Sequence, residues 1–137
     1  MRYNLIDHTA DFGIHVFGKD EKLLFEHAAL AMFELIIEAG NPGACCQRLV
    51  SVTGNDWPDL MVNWLRESLY LWTGKELVLQ SIVVEDLTAQ HISARVNLEP
   101  FQKDQHNIVS EFKAVTYHQI QAVPVGDHWE AKIIFDI

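Results

Sequence analysis

From Phe12 to Phe17 the chain alternates, with Phe12, Ile14 and Val16 on one side and Gly13, His15 and Phe17 on the other, which is the period of a strand. Gly18 ends this strand and Asp20 is placed to cap a helix. From Glu21 to about Ala39 the period becomes helical. Leu24, Ala28, Ala31 and Leu35, with Phe25, Ala29, Met32 and Ile36 beside them, form a wide apolar stripe, and Glu26, Glu34 and Glu38 lie away from it. Gly40 supplies a C-terminal stop and Pro42 prevents the helix from resuming. Arg48 to Thr53 reads as a short strand closed by Gly54-Asn55. A second helix then starts on Asp56 as N-cap, with Pro58 in its first turn and Asp59 adding favourable charge there. Leu60, Met61, Trp64, Leu65, Leu69 and Trp72 give its buried face, Asn63, Arg66, Glu67 and Tyr70 lie on or beside the other, and Gly74 ends it.

The remainder reads as strands. Leu77 to Glu85 is apolar and β-branched, and Asp86-Leu87-Thr88-Ala89 has the composition of a turn. Ile92, Ala94, Val96 and Leu98 then alternate with His91, Ser93, Arg95 and Asn97, a half-buried strand. Pro100 to Asn107 reads as a polar loop, and Glu111 to Ala122 as one more strand with Lys113, Val115 and Tyr117 on one face and Thr116 and His118 on the other. Pro124-Val125-Gly126-Asp127 makes a hairpin turn into a last strand with Trp129, Ala131, Ile133 and Phe135 inward and Glu130, Lys132 and Asp136 outward. The order β-α-β-α-β-β-β-β predicts an α+β fold: two helices packed on one face of a largely antiparallel (mixed) sheet, in a single domain over residues 1–137.

Composition narrows the function classes. The net charge is -9 with only ten Lys and Arg, and these are scattered, so a broad basic surface for nucleic acid is excluded. The two cysteines, Cys45 and Cys46, are adjacent, which excludes a disulfide framework. No run approaches the roughly 18 apolar residues of a membrane span, and the start of the chain lacks a secretory h-region, so a cytoplasmic protein with no membrane partner is expected.

Ionisable residues cluster in three places. Asp7-His8-Thr9-Ala10-Asp11 carries two carboxylates and an imidazole; in an extended segment Asp7, Thr9 and Asp11 share one face. Local turn hydrogen bonds account for any one of these residues alone, less readily for both aspartates. At the other end Asp136 stands one residue before the α-carboxylate of Ile137. With Asp11 brought alongside by the sheet, three like-charged oxygen donors would converge, at a cost that a cation offsets. All-oxygen ligation suits Ca²⁺, Mg²⁺ or Mn²⁺ rather than zinc; a solvated strand end is the competing reading for Asp136. The third cluster, Glu111 to His118, reads on its own as polar decoration of a half-exposed strand in preference to a site. No phosphate-cradling glycine loop, helical histidine pair or nucleophile elbow is present.

Taken together, Asp7-His8-Thr9-Ala10-Asp11, Trp64-Leu65-Arg66-Glu67-Ser68-Leu69-Tyr70, Lys113-Ala114-Val115-Thr116-Tyr117-His118 and an Asp one residue from the end resemble the archease family, in order and over essentially the whole chain. The chain departs from the family in reading Leu98-Glu99 where a Gly-Glu pair is usual and Arg66-Glu67 where Asn precedes Glu. The resemblance implies an archease-like fold and a protein cofactor rather than an enzyme. Such a cofactor activates an RtcB-type RNA ligase, promoting its GTP-dependent guanylylation and multiple turnover in tRNA splicing or RNA repair. GTP and RNA would be met only through the ligase. The family's metal-binding acids fall on Asp11, Asp136 and the carboxylate of Ile137, with Ca²⁺ the ion first expected and Mg²⁺ or Mn²⁺ as alternatives. Its functional lysine falls on Lys113 and its acidic helix residue on Glu67; His118 closes the Lys113 motif, and Asp7 and His8 are expected to support the loop that aims Asp11. Two other readings stand beside this one: a chaperone or scaffold acting by surface contacts alone, and a small metal-dependent phosphoester hydrolase.

Overall fold

The computed structural model describes residues 2–7, 11–40, 43 and 45–137, with the side chains of Ile6, Asp7 and Asp11 outside the description. Two helices accompany antiparallel strands, so the α+β class holds. Strands β1 (Tyr3–Asp7) and β2 (Asp11–Gly18) precede helix α1 (Glu21–Ile36), short β3 (Ile37–Ala39) and β4 (Cys46–Thr53). Helix α2 (Trp57–Thr73) leads to β5 (Leu77–Thr88), β6 (His91–Pro100), β7 (His106–Ile108), β8 (Ala114–Val115), β9 (Gln121–Val125) and β10 (His128–Asp136). Among the described residues these form a five-stranded sheet ordered β1-β2-β10-β8 with β9 also on β10, a three-stranded sheet ordered β4-β6-β5, and the β3-β7 pair.

Both helices start where the capping chemistry predicts. Asp20 accepts the Leu23 N–H at 2.8 Å and Asp56 accepts the Asp59 N–H at 2.9 Å, each taking up a donor that the helix itself leaves unpaired. The core fills from the apolar stripes: Leu24, Phe25, Ala28, Met32, Leu60, Trp64 and Leu65 meet the inward rows of β2, β6 and β10. Trp64 satisfies its buried indole N–H on the Phe25 carbonyl at 2.9 Å, which joins the helices. Trp72, expected inside, is only partly buried, while Val62, Ser68 and Leu71 are buried.

Several expected boundaries are corrected. The first helix ends at Ile36, not near Ala39, because Ile37 is extended and the Ile36 carbonyl is taken by the N–H groups of Val109 and Ser110 at 2.7 and 3.1 Å. Gly40 therefore lies beyond β3, donating to Gln105 at 2.9 Å, and Pro42 lies outside the described residues. β5 runs on through the expected turn at residues 86–89, taking up register shifts against β6, and the chain reverses at Ala89-Gln90. An additional first strand, β1, makes a hairpin with β2. The Glu111–Ala122 strand is broken: only β8 and the start of β9 are regular, and Gln119 has φ 53° between them. The last hairpin forms, but Pro124 and Val125 belong to β9 and the turn is only Gly126-Asp127, with Gly126 at φ 63°, a conformation that glycine adopts without steric cost.

Candidate functional site

The last strand organises the candidate residues. β10 lies between β2 and β8, and its register opposes Asp136 to Asp11 on one side and to Ala114 on the other. Directly opposed positions of an antiparallel pair share a face, so residues 11 and 136 lie side by side. The Lys113 N–H donates to the Asp136 carbonyl at 2.8 Å, which brings Lys113 to the same end of β10. Asp136, Ile137 and Lys113 are exposed. Three distant stretches of chain thus meet where β10 ends.

The same register corrects the expected geometry of the N-terminal cluster. Asp7 opposes Phe12, not Asp11, in the antiparallel register of β1 and β2. Positions 7 and 11 therefore fall on opposite faces of the sheet instead of sharing one. His8 lies outside the described residues, as do the side chains of Asp7 and Asp11.

Beneath the site lies an aromatic cluster, of which periodicity placed Phe12 and Phe135 but not Phe112. Three of the candidate residues are chain neighbours of a phenylalanine: Phe12 follows Asp11, Phe112 precedes Lys113 and Phe135 precedes Asp136. The ring of Phe112 is 4.7 Å from Phe135 and 5.6 Å from Phe12, and both Phe112 and Phe135 are buried. The rings are pinned on the core side while their neighbours Asp136 and Lys113 face solvent.

The expected face of Lys113, Val115 and Tyr117 does not form, since Val115 is buried whereas Lys113 and Tyr117 are exposed. With only two residues in register, β8 cannot impose alternation further along. Thr116 turns the chain by giving both its N–H and its hydroxyl to the Ile134 carbonyl, at 3.0 and 2.9 Å. Tyr117 then reaches α2, donating to Asp59 Oδ1 at 2.6 Å, and Arg66 lies 4.8 Å from its ring centroid while donating to the Val115 carbonyl at 3.1 Å. The Tyr117 hydroxyl and the Asn55 N–H hold the Asp59 carboxyl below its ordinary range, and Asp59 in turn raises the phenol. Glu67 is exposed one residue beyond Arg66, and neither it nor Lys113 has an ion-pair partner among the described residues. His118 sits in the turn after Tyr117, its N–H on the Thr116 hydroxyl at 3.2 Å.

Sequence reasoning also missed a buried polar hub. Glu99 and His106, at 3% and 6% exposure, meet at 2.6 Å. Glu99 further accepts the Gly43 N–H at 2.6 Å and the Gln80 amide at 2.9 Å. His106 Nδ1 accepts the Gln102 N–H at 2.9 Å, leaving the proton on Nε2 for Glu99. Burial alone would raise the Glu99 pKa, but the hydrogen bonds from His106, Gly43 and Gln80 outweigh it and the carboxyl lies below its ordinary range. The signal available in the sequence was the acidic Glu99 at the end of an otherwise apolar alternation, seven residues before a histidine.

Carboxylates of the kind that positions 11 and 136 carry are oxygen donors, which suit a hard divalent cation. Among the described residues, which do not include the Asp11 side chain, no group of three or more His, Cys, Asp or Glu is arranged to hold a metal. None of the described helices is long and apolar enough to cross a membrane.

A fold of two helices and antiparallel strands in this order has known counterparts. The chain matches the Archease protein family (MTH1598/TM1083) over residues 3–137, and it belongs to that family. It is 36% identical over 140 residues to protein archease of Methanosarcina acetivorans, covering 99% of this chain and 96% of the relative. Against protein archease of Archaeoglobus fulgidus it is 28% identical over 137 residues, the full length of both. The solution structure of Methanobacterium thermoautotrophicum protein 1598 superimposes with a TM-score of 0.80 at 27% identity, over 99% of each chain. An archease from Thermotoga maritima, described as a possible chaperone, shares the fold at a TM-score of 0.61 and 20% identity, over 100% of this chain and 98% of that one.

Proposed function

We propose that this chain is a protein cofactor of an RtcB-type RNA ligase, promoting the ligase's GTP-dependent guanylylation and repeated turnover in tRNA splicing or RNA repair. The observation that carries the reading is the β10 register, which sets Asp136 across from Asp11 and ties Lys113 to the same strand end, in a chain of the archease family. Asp11, Asp136 and the Ile137 carboxylate would hold a divalent cation, Ca²⁺, Mg²⁺ or Mn²⁺. Such a cation supplies positive charge against phosphate oxygens. The exposed Lys113 ammonium provides a second cationic contact for phosphate or for a ligase carboxylate, and Glu67 offers a docking charge. A net charge of -9 suits a protein that meets RNA only through its partner.

The test is guanylylation of the cognate ligase with GTP and a divalent cation. Asp11→Ala and Asp136→Ala are expected to lose most of the stimulation, about tenfold or more, and to weaken Ca²⁺ binding in calorimetry. Full stimulation by both variants would remove the cation site from the mechanism. A surface-only chaperone is favoured by one further observation: a groove of about 570 Å³ runs beside Lys113 and is lined by Trp72, Phe101, Ile108 and Phe112. That reading predicts silent aspartate variants and loss of activity on Glu67→Ala or Ile108→Lys. A phosphoester hydrolase would turn over substrate without any partner.

A further inference from the structure

Of the two outer strands in the β4-β6-β5 sheet, one is covered and the other is open. Helix α1 packs along β5 and covers its edge, with Lys22 Nζ donating to the Glu85 carbonyl at 3.3 Å. On β4 the parity of the ladder is set by Gly54, whose N–H donates across to the Gln90 carbonyl at 3.1 Å. Alternate residues of an antiparallel strand bond to the same neighbour, so Val52, Val50, Arg48 and Cys46 face β6 and Thr53, Ser51, Leu49 and Gln47 face away. The Asn63 amide agrees with that parity, since it reaches the Thr53 carbonyl from the outer side at 2.9 Å. Beyond Thr53, the backbone groups of Ser51, Leu49 and Gln47 have no partner among the described residues. The usual protections of an edge are missing: the strand has no proline, no bulge against β6 and one charge, Arg48. Leu49, at the centre of the open row, is 61% exposed.

We propose that a second copy of this chain adds to this edge, β4 against β4 and antiparallel, about a twofold axis through Leu49. The open row is symmetric about that residue. Leu49 would exchange N–H and C=O with its counterpart, and Gln47 would do so with Ser51 of the other copy, giving about six backbone hydrogen bonds and a continuous sheet of both molecules. Arg48 would oppose Val50, so no like charges stand directly opposite each other. Electrostatics favours this place: two copies at -9 repel, and Cys46–Thr53 contains no acidic residue. A single strand edge buries less than the ~1,200 Å² of a stable interface, so the dimer is weak and concentration-dependent.

Sedimentation of the full chain from about 5 to about 500 μM is expected to show a monomer–dimer equilibrium. Leu49→Lys apposes two ammonium groups at the axis and should weaken dimerisation by about tenfold or more, with circular dichroism and thermal midpoint at low concentration unchanged. Val83→Lys, an equally exposed site on the covered strand β5, should leave dimerisation unaltered. Hydrogen exchange on the unmodified chain should protect the Gln47, Leu49 and Ser51 amides as concentration rises. A single monomeric species throughout, including one that binds only foreign strands, overturns the proposal, as does a dimer that Leu49→Lys leaves intact or that forms without protecting these amides.

Discussion

Phe112 is the residue through which packing at the site can be tested without touching any charged group. Its ring is 2% exposed and lies between Phe135 and Phe12, whose chain neighbours are Asp136 and Asp11, while its own neighbour is Lys113. Phe112→Ala deletes a buried ring, which costs about 3–5 kcal/mol in transfer and cavity terms, including ring-pair contributions of about 0.5–1.5 kcal/mol each. In a domain of this size 1 kcal/mol moves the thermal midpoint by roughly 3–5 °C, so a fall of about 10–25 °C is expected. Phe112→Leu refills most of the space and should cost about 1–2 kcal/mol, leaving a folded protein in which only the fit beneath the site has changed. If the rings set the spacing of Asp11, Lys113 and Asp136, Phe112→Leu will weaken Ca²⁺ binding and ligase stimulation, whereas Phe25→Leu, an equally buried ring within helix α1, will lower stability and leave both intact. Calorimetry for stability and isothermal titration for Ca²⁺ read the two effects separately. A loss below about 1 kcal/mol for Phe112→Ala, or equal effects of the two leucine variants on Ca²⁺ binding, would refute the reasoning.

The polar contacts lead to two further outcomes. His106→Ala leaves the buried Glu99 carboxylate without a principal partner and should cost about 2–4 kcal/mol at pH 7 in urea unfolding. The folded-state Glu99 pKa lies below its ordinary 4.5, so its stabilising contribution is present above that value and is lost as pH falls through the folded one; the cost of His106→Ala should therefore shrink on acidification. Tyr117→Phe removes the hydroxyl that lowers the Asp59 pKa, so the Asp59 titration followed by NMR should move upward toward 3.8, and an unmoved titration would show that the 2.6 Å contact is not formed in solution.

Legibility in the sequence followed the range of the interactions. Capping by Asp20 and Asp56, the alternation in β6 and β10, and the turn at Gly126 depend on neighbours a few residues away, and the residues alone identified them. Contacts that decide by tertiary competition were not legible. Nothing local ends α1 at Ile36; strand β7, some 70 residues on, does so by pairing with Ile37, and the N–H groups just beyond that strand take the Ile36 carbonyl. The Glu111–Ala122 stretch has strand composition, yet Phe112 is drawn into the core and Thr116 onto Ile134, which breaks its period. Of the candidate site, Asp11 and Asp136 were visible as clustered charge and their pairing was expected; the register supplies it. The phenylalanine beside each of Asp11, Lys113 and Asp136 was visible too, but its purpose appears only when the three rings meet.

The segment from β6 to β8 explains why polar residues are buried where they are. It must deliver Lys113 to the end of β10 with very little ladder: three paired residues in β7 and two in β8. A chain held by so few backbone pairs would have many nearly equivalent placements. Side chains remove them at intervals. Glu99 and His106 fix its entry, Phe112 its middle on β10, and Thr116 and Tyr117 its exit on β10 and α2. A wholly apolar entry would pack as well but would not select one position, whereas the Glu99 carboxylate, with donors at Gly43, Gln80 and His106, is satisfied in a single arrangement. Placement of Lys113 therefore depends on Glu99, fourteen residues before it, and on that carboxylate's more distant donors, and substitutions there should alter the site while leaving its own residues untouched.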